Sequence, residues 1–449
     1  MELLIAFLIF AAAMIFVLIK GYTMVIALVI GLAAFLAAGM KRGNSLKSLC
    51  LMAAKGAGES LGVIKVLCLI GFITALWRAG GTIAVFVYYG VKIITPPLFL
   101  IIAFLLSSLL SYAIGTSFGV AGTVGVILMT LARSGGVDPI MTAGVLMSGI
   151  YFGDRSSPVS SSANMVAGIT GTKIFDNVKQ MMKTGLIPFA ICCIVYTVMS
   201  FMNPIQAIDS SVVDAFGMDF NLSVWTFLPA VLMLLLPVLR VNVMTAMVLS
   251  ILSSIATAWK VQGMSLGEIL RLCIFGYDGE GTHLKTLLNG GGLSSMLEIM
   301  VILFISCAYS GIFSGTQMLD GLEQTLERTC SKIGRFSVMV LISLASLIVF
   351  CNQTIASLMC VDLLKNPYEH AGASKQELAI DVENSVIVLA GAVPWAIACS
   401  VPLSFFGVGY NAIFYAVYLY AIPVCYFFTK KIWYGKDQAH EGKIFKNKI

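Results

Sequence analysis

Charge is what this sequence has least of. Its 28 Lys and Arg and 22 Asp and Glu make up 11% of 449 residues, against roughly 25% in an ordinary soluble domain. A hydrophobic share of 59% is more than a water-soluble fold hides, so the chain needs lipid as part of its solvent. Histidine is scarce as well: His283, His370 and His440 all lie in polar loops. The chain has no HExxH, no P-loop and no GxSxG. Their absence removes the usual metalloprotease, nucleotide-hydrolysing and serine-hydrolase arrangements, and the expectation is a protein that is not an enzyme and holds no cofactor. None of the 11 cysteines forms a CxxC pair, and Cys192, Cys193, Cys351 and Cys399 sit inside apolar runs. They read as small buried hydrophobes rather than disulfides or zinc ligands. The lysines are spread over loops that flank apolar runs, which argues against a nucleic-acid partner.

What the chain does have is long apolar runs, continuous rather than alternating, such as Leu3 to Ile19 and Leu98 to Ile114. Backbone amides in hydrocarbon must bond internally, and without a period of two the solution is the helix. The fold class is therefore an all-α polytopic membrane protein with about 10–12 transmembrane helices. The first run lacks a basic leading region and a small-residue cleavage pattern, so it is expected to be retained. Lys41, Arg42, Lys47 and Lys55 mark one cytoplasmic loop, and a tail with Lys430, Lys431, Lys436, Lys443, Lys446 and Lys448 marks another. That places both termini in the cytoplasm and the protein in the cell membrane.

The two halves echo each other. Gly56 to Thr82 has a counterpart in Gly290 to Thr316, each opening on glycines, running through an apolar stretch and closing on Gly-Thr. A second apolar run then breaks at Gly115-Thr116-Ser117 in one half and at Asn352-Gln353-Thr354 in the other. We divide the chain into an N-terminal hairpin and loop (1–55), a first repeat (56–205), connector helices (206–289), a second repeat (290–428) and a basic tail (429–449). The repeats, with their broken helices and hairpins, are expected to be inverted. Repeats with interrupted helices in matching places are a signature of secondary transporters, whose solute sites lie where the breaks meet.

The segment SGIYFGDRSSPVSSSAN, Ser148 to Asn164, combines glycine, proline and hydroxyls directly after an apolar run. Proline removes an amide donor and glycine loosens the helix, so Gly153 and Pro158 mark an unwound stretch whose oxygens face inward. Hard cations such as Na⁺ take carboxylate, hydroxyl and amide oxygens, which Asp154, Ser157, Ser160, Ser161 and Asn164 offer. One carboxylate can also carry a proton, so competition at Asp154 suffices for exchange. The bland alternative is an Asp154–Arg155 pair at an interfacial helix end. In the second half, Glu377 to Ser400 places Glu383 and Asn384 ahead of a break at Pro394-Trp395; Asp381 reads as decoration of a helix N-terminus. Thr116 and Ser117 are candidates to face a cavity, although the glycines around them also suit close helix packing. Asn352 and Gln353 need partners in an apolar run. Lys65 and Glu298 read as snorkelling or paired charges.

These motifs, in this order, resemble the NhaC-type Na⁺/H⁺ antiporters of the ion-transporter superfamily. TSFGVAGTVGVILM and SGIYFGDRSSPVS are similar to that family's GTSW-type segment and its SGAYFGDKMSPLSDTTN signature, and LAIDVENS with VPWAIA is similar to LSRTLEDSG and IPWN. The resemblance spans Gly56 to the last apolar run. It implies site or near-site roles for Asp154, Ser157, Pro158, Ser160, Asn164, Glu383 and Trp395, with Na⁺ at Asp154, Asn164 and Glu383. It also implies electrochemically driven exchange of Na⁺ for H⁺, or of organic acids in some members. The chain departs from the pattern at Ser161, Ser162-Ala163, Asn384 and Ala396, which leaves fewer carboxylates than the family has. The expected function is a secondary Na⁺/H⁺ antiporter. The alternatives are a Na⁺- or H⁺-coupled exchanger of organic or amino acids, for which Arg155 could pair with a carboxylate, and, further off, a passive channel. The partners are the bilayer and a small cation or organic solute; a homodimer is compatible with the sequence, but no residue argues for one.

Overall fold

The computed structural model describes residues 2–446 except 21, 94–95, 205–216, 240, 280–288 and 317–322. The boundary expected at residue 206, His283 and Lys448 therefore lie outside the described residues. Within them the chain is almost entirely helical. The sole strand-like pairing among the described residues is an antiparallel bridge between Tyr277 and Gly290.

The first half runs α1 (Glu2–Lys20), α2 (Met24–Lys41), α3 (Leu46–Glu59), α4 (Leu61–Ala79), α5 (Thr82–Ile93), α6 (Phe99–Ile114), α7 (Ser117–Ser134), α8 (Pro139–Ser156), α9 (Ser161–Thr170) and α10 (Ile174–Met202). The second half runs α11 (Leu228–Val238), α12 (Val243–Lys260), α13 (Leu266–Phe275), α14 (Leu297–Thr316), α15 (Glu323–Ile333), α16 (Arg335–Phe350), α17 (Gln353–His370), α18 (Lys375–Ala392), α19 (Ile397–Phe406) and α20 (Val417–Lys446). The order of elements recurs ten helices on. α6 and α16 have 16 residues each, α9 and α19 have 10, and α10 and α20 have 29 and 30.

Crossings are fewer by strict length than the sequence predicts. Six helices among the described residues are long and apolar enough, and α18 with α19, bent by 46°, makes up to a seventh. Part of the difference comes from the breaks: α6 and α16 are apolar, but at 16 residues each they stop at Gly115 and Cys351 before reaching a full crossing.

The two halves exchange their leading helices. α2 and α3 pack on α14, while α12 and α13 pack on α4. The Tyr309 hydroxyl donates to the carbonyl of Leu28, and Trp77 Nε1 donates to Ser250 Oγ at 3.0 Å. Small residues permit the tightest approaches. A Cβ on Gly149 or Gly153 of α8 would stand 1.9 Å from Ser107 Oγ or 2.1 Å from the Ser111 carbonyl carbon of α6. α8 is thereby held alongside α6 with its C-terminal end inside the protein.

Candidate functional site

Asp154 lies in the last turn of α8 and is 3% exposed. The helix stops at Ser156 because Ser157 turns extended, with its hydroxyl donating to the Tyr112 carbonyl at 2.6 Å. Pro158 and Val159 form the turn, and Ser160 caps α9 through the amide of Ala163. Ser160 Oγ donates to the Asp154 carbonyl at 2.5 Å and lies 3.4 Å from its Oδ1. Ser162 Oγ donates to Oδ2 at 3.0 Å.

Two further breaks converge on this carboxylate. α6 ends at Gly115 in the left-handed region (φ 75°), Thr116 is extended and caps α7, and the backbone of Ser117 faces the Asp154 carboxylate. α16 ends at Cys351, also left-handed (φ 55°), and Asn352 is extended and caps α17 by accepting from Thr354 N at 2.9 Å. Gln353 then reaches across with Nε2, 3.1 Å from the Ile387 carbonyl and 3.4 Å from Asp154 Oδ2. The first turn of a helix carries unsatisfied N–H groups and positive potential. A carboxylate set against the start of α7, with the first side chain of α17 on it, has part of the cost of its burial offset.

Gln353 touches α18 at a π-turn, Glu383–Ile387. One extra residue per turn leaves side chains off the helical ladder, a feature frequent at functional sites. Glu383 is fully buried and neither carboxylate oxygen has a hydrogen-bond partner. Such a group is tolerated only when protonated or when a cation sits on it. Beside it Asn384 Oδ1 accepts from Arg155 Nε at 3.0 Å and Nη2 at 2.5 Å, while Asn384 Nδ2 has no partner. Arg155 is fully buried, and its other bonds go to Thr184 Oγ1 (2.8 Å), the Met181 carbonyl (3.0 Å), Ser156 Oγ (3.1 Å) and the Tyr418 hydroxyl (3.4 Å). Every one of those partners is neutral.

The structure gathers part of the expected set. Asp154, Ser160, Ser117 and Gln353 meet directly, with Glu383 and Asn384 on the adjoining π-turn. Ser161 does not join them: it is the exposed first residue of α9, and its neighbour Ser162 holds the carboxylate. A helix turns about 100° per residue, so adjacent serines at its start cannot share a face. Asn164 is exposed, and its amide staples the break through the carbonyls of Pro158 (2.9 Å) and Ser160 (2.7 Å) rather than facing Asp154. Thr116 and Asn352 act as caps. Pro394 and Trp395 form the break between α18 and α19, where Trp395 Nε1 donates to the Ile348 carbonyl and Ile397 N to the Cys351 carbonyl. No Asp154–Arg155 pair forms, since the guanidinium turns to Asn384. Lys65 is exposed, and Glu298 accepts from Thr23.

One buried constellation escapes the sequence reading. Lys430 is not a solvated tail residue: α20 runs on past it, and its ammonium bonds Asp381 and, at 2.7 Å, Glu377. Arg335 pairs with Glu377 at 3.0 Å, and Tyr368 and Tyr426 donate to Asp381. Asp381 thus lies buried near the end of Lys375–Val382, not at a helix start. The i,i+4 spacing of Glu377 and Asp381 is the signal that could have found it.

Residues 149–430, more than half the chain, match the Na⁺/H⁺ antiporter family. The chain belongs to that family. It is 26% identical over 392 residues, 84% of each chain, to the malate-2H⁺/Na⁺-lactate antiporter of Bacillus subtilis (strain 168). It is 27% identical over 403 residues, 86% of each chain, to the Na⁺/H⁺ antiporter NhaC of Alkalihalophilus pseudofirmus. A shorter match, 26% over 285 residues covering 61% of this chain and 58% of the other, is to the arginine/ornithine antiporter ArcD of Halobacterium salinarum. The protein is a secondary antiporter of this family, embedded in a membrane by its apolar helices.

Proposed function

We propose that the protein exchanges Na⁺ for H⁺ across the cytoplasmic membrane, with Asp154 as the carboxylate that both ions share. The observation that carries this reading is the meeting of three chain breaks on one buried acid, with the partnerless Glu383 on the adjoining π-turn. Na⁺, as the transported ion, would take oxygens of Asp154, Ser162 and Glu383; protonation of Asp154 releases it. Two halves with the same order of ten helices supply the two-fold plan on which alternating access is built. This reading folds the hairpin 1–55 and the connector 206–289 into the repeats themselves, as the α1–α3 and α11–α13 pieces. Lys41, Arg42, Lys173, Lys179, Lys183 and Lys375 mark the cytoplasmic side, with both termini on it. The α6–α7 hairpin then enters from outside and the α16–α17 hairpin from the cytoplasm.

A second reading, Na⁺- or H⁺-coupled exchange of an organic or amino acid, draws on Arg155. A buried guanidinium bonded only to neutral groups is suited to a carboxylate, and two relatives are named for organic solutes. The test is the internal pH of proteoliposomes under an imposed Na⁺ gradient. Na⁺-dependent proton flux in the wild type, lost in Asp154→Asn, supports the first reading. No flux in the wild type, with counterflow of malate, lactate or arginine instead, replaces it with the second.

A further inference from the structure

On the side where α9 ends and α10 and α18 begin, a cavity of about 430 Å³ opens to solvent. Its wall carries Lys173, Lys179, Lys183 and Lys375 against a single acid, Asp176. That acid pairs with Lys179 at 4.0 Å, and both side chains are largely exposed, so the pair neutralises little. The N-terminus of α10 opens into the same wall, and its N-cap, Lys173, makes no side-chain capping bond. Four lysines around an open cavity, with a helix start that has no side-chain cap in its wall, are the chemistry of a phosphate site.

The source of the phosphate follows from the face beside it. Phe175, Met182 and Leu186 are spaced to form one stripe of α10 and are exposed, as lipid-facing residues are, and Lys179 and Lys183 border that stripe. A headgroup in the cavity would leave its acyl chains along the stripe. We propose that the cavity binds the phosphate of an anionic phospholipid, and that this headgroup bridges α9–α10 to α18 through Lys173 and Lys375. Those are the segments that follow Asp154 and precede Glu383. The site would couple lipid composition to the relative position of the two broken helices, independently of which solute the antiporter carries.

Native mass spectrometry of the purified full-length protein tests this, with dioleoyl phosphatidylglycerol and phosphatidylcholine added at equal concentration. Wild type should retain phosphatidylglycerol on the order of tenfold over phosphatidylcholine, and Lys173→Gln with Lys375→Gln should bring the ratio close to one. Both lysines are exposed, so the double variant is expected to stay folded; its elution volume checks this, and Lys260→Gln on α12 serves as a charge control that keeps the preference. Equal retention of both lipids by the wild type, or a preference unchanged in the double variant, overturns the site. Full displacement of the lipid by inorganic phosphate at the same concentration overturns the lipid assignment in favour of a free anion.

Discussion

Two neighbouring serines show what one residue's position decides. Ser162 donates to Asp154, whereas Ser161 faces solvent. On the proposed reading, Ser162→Ala removes one ligand or hydrogen bond, worth ~0.5–1.5 kcal/mol, and raises the apparent KM for Na⁺ about two- to tenfold. Ser161→Ala leaves it unchanged. Initial proton flux against Na⁺ concentration in proteoliposomes reads both; a larger effect at Ser161 would put the ion elsewhere. The burial of Asp154 at a helix break was legible because a carboxylate beside glycine, proline and hydroxyls in an apolar run has few structural excuses. The serine beside it was not, because spacing alone does not say where the broken helix restarts and hence which side chain turns inward. Arg155 shows the same limit: adjacency to Asp154 suggests a pair, and the fold gives its guanidinium five other partners.

Among the elements, the breaks were readable and the helices' reach was not. Gly-Thr-Ser and Asn-Gln-Thr in apolar runs stand at the tips of α6–α7 and α16–α17. At the matching left-handed position one half uses Gly115 and the other Cys351. A left-handed non-glycine residue costs roughly 1–2 kcal/mol, but Cys351 is fully buried, so Cys351→Gly trades relieved strain against a lost core side chain and a freer unfolded chain and is expected to stay within about 1 kcal/mol of the wild type. Gly115→Ala is expected to fail, since a Cβ there would stand 2.6 Å from the Val159 carbonyl carbon. Thermal unfolding of the detergent-solubilised variants separates the two. Lys430 belongs to this scale too, because α20 continues where a solvated tail was expected. Removing its charge in Lys430→Met strands Glu377 and Asp381 beside Arg335 alone. Breaking a buried pair costs about 3–5 kcal/mol, so a sharp loss of folded yield should follow; unaltered yield and melting would show that the cluster does not hold α20 to α18.

At the scale of the whole molecule, hydropathy alone places the chain in a membrane, and the comparisons place it in an antiporter family. The proposed two-fold order is only half visible in sequence. The glycine-rich openings at Gly56 and Gly290 stand out, but α1–α3 and α11–α13 share no motif, and their correspondence lies in where they pack. That exchanged packing, α2 and α3 on α14 and α12 and α13 on α4, ties the halves together at their first helices and leaves Asp154 and Glu383 where the broken helices face each other. The central claim is that one carboxylate at that meeting point serves Na⁺ and H⁺ in turn. It is tested most directly by the apparent affinity for Na⁺ as a function of pH, measured from initial rates with both sides of the vesicle at equal pH. If the ions compete for Asp154, the apparent KM rises about tenfold for each unit the pH falls below the carboxyl's pKa, while the rate at saturating Na⁺ holds steady. An apparent KM that stays constant across the acidic range, with only the maximal rate changing, would contradict a shared site.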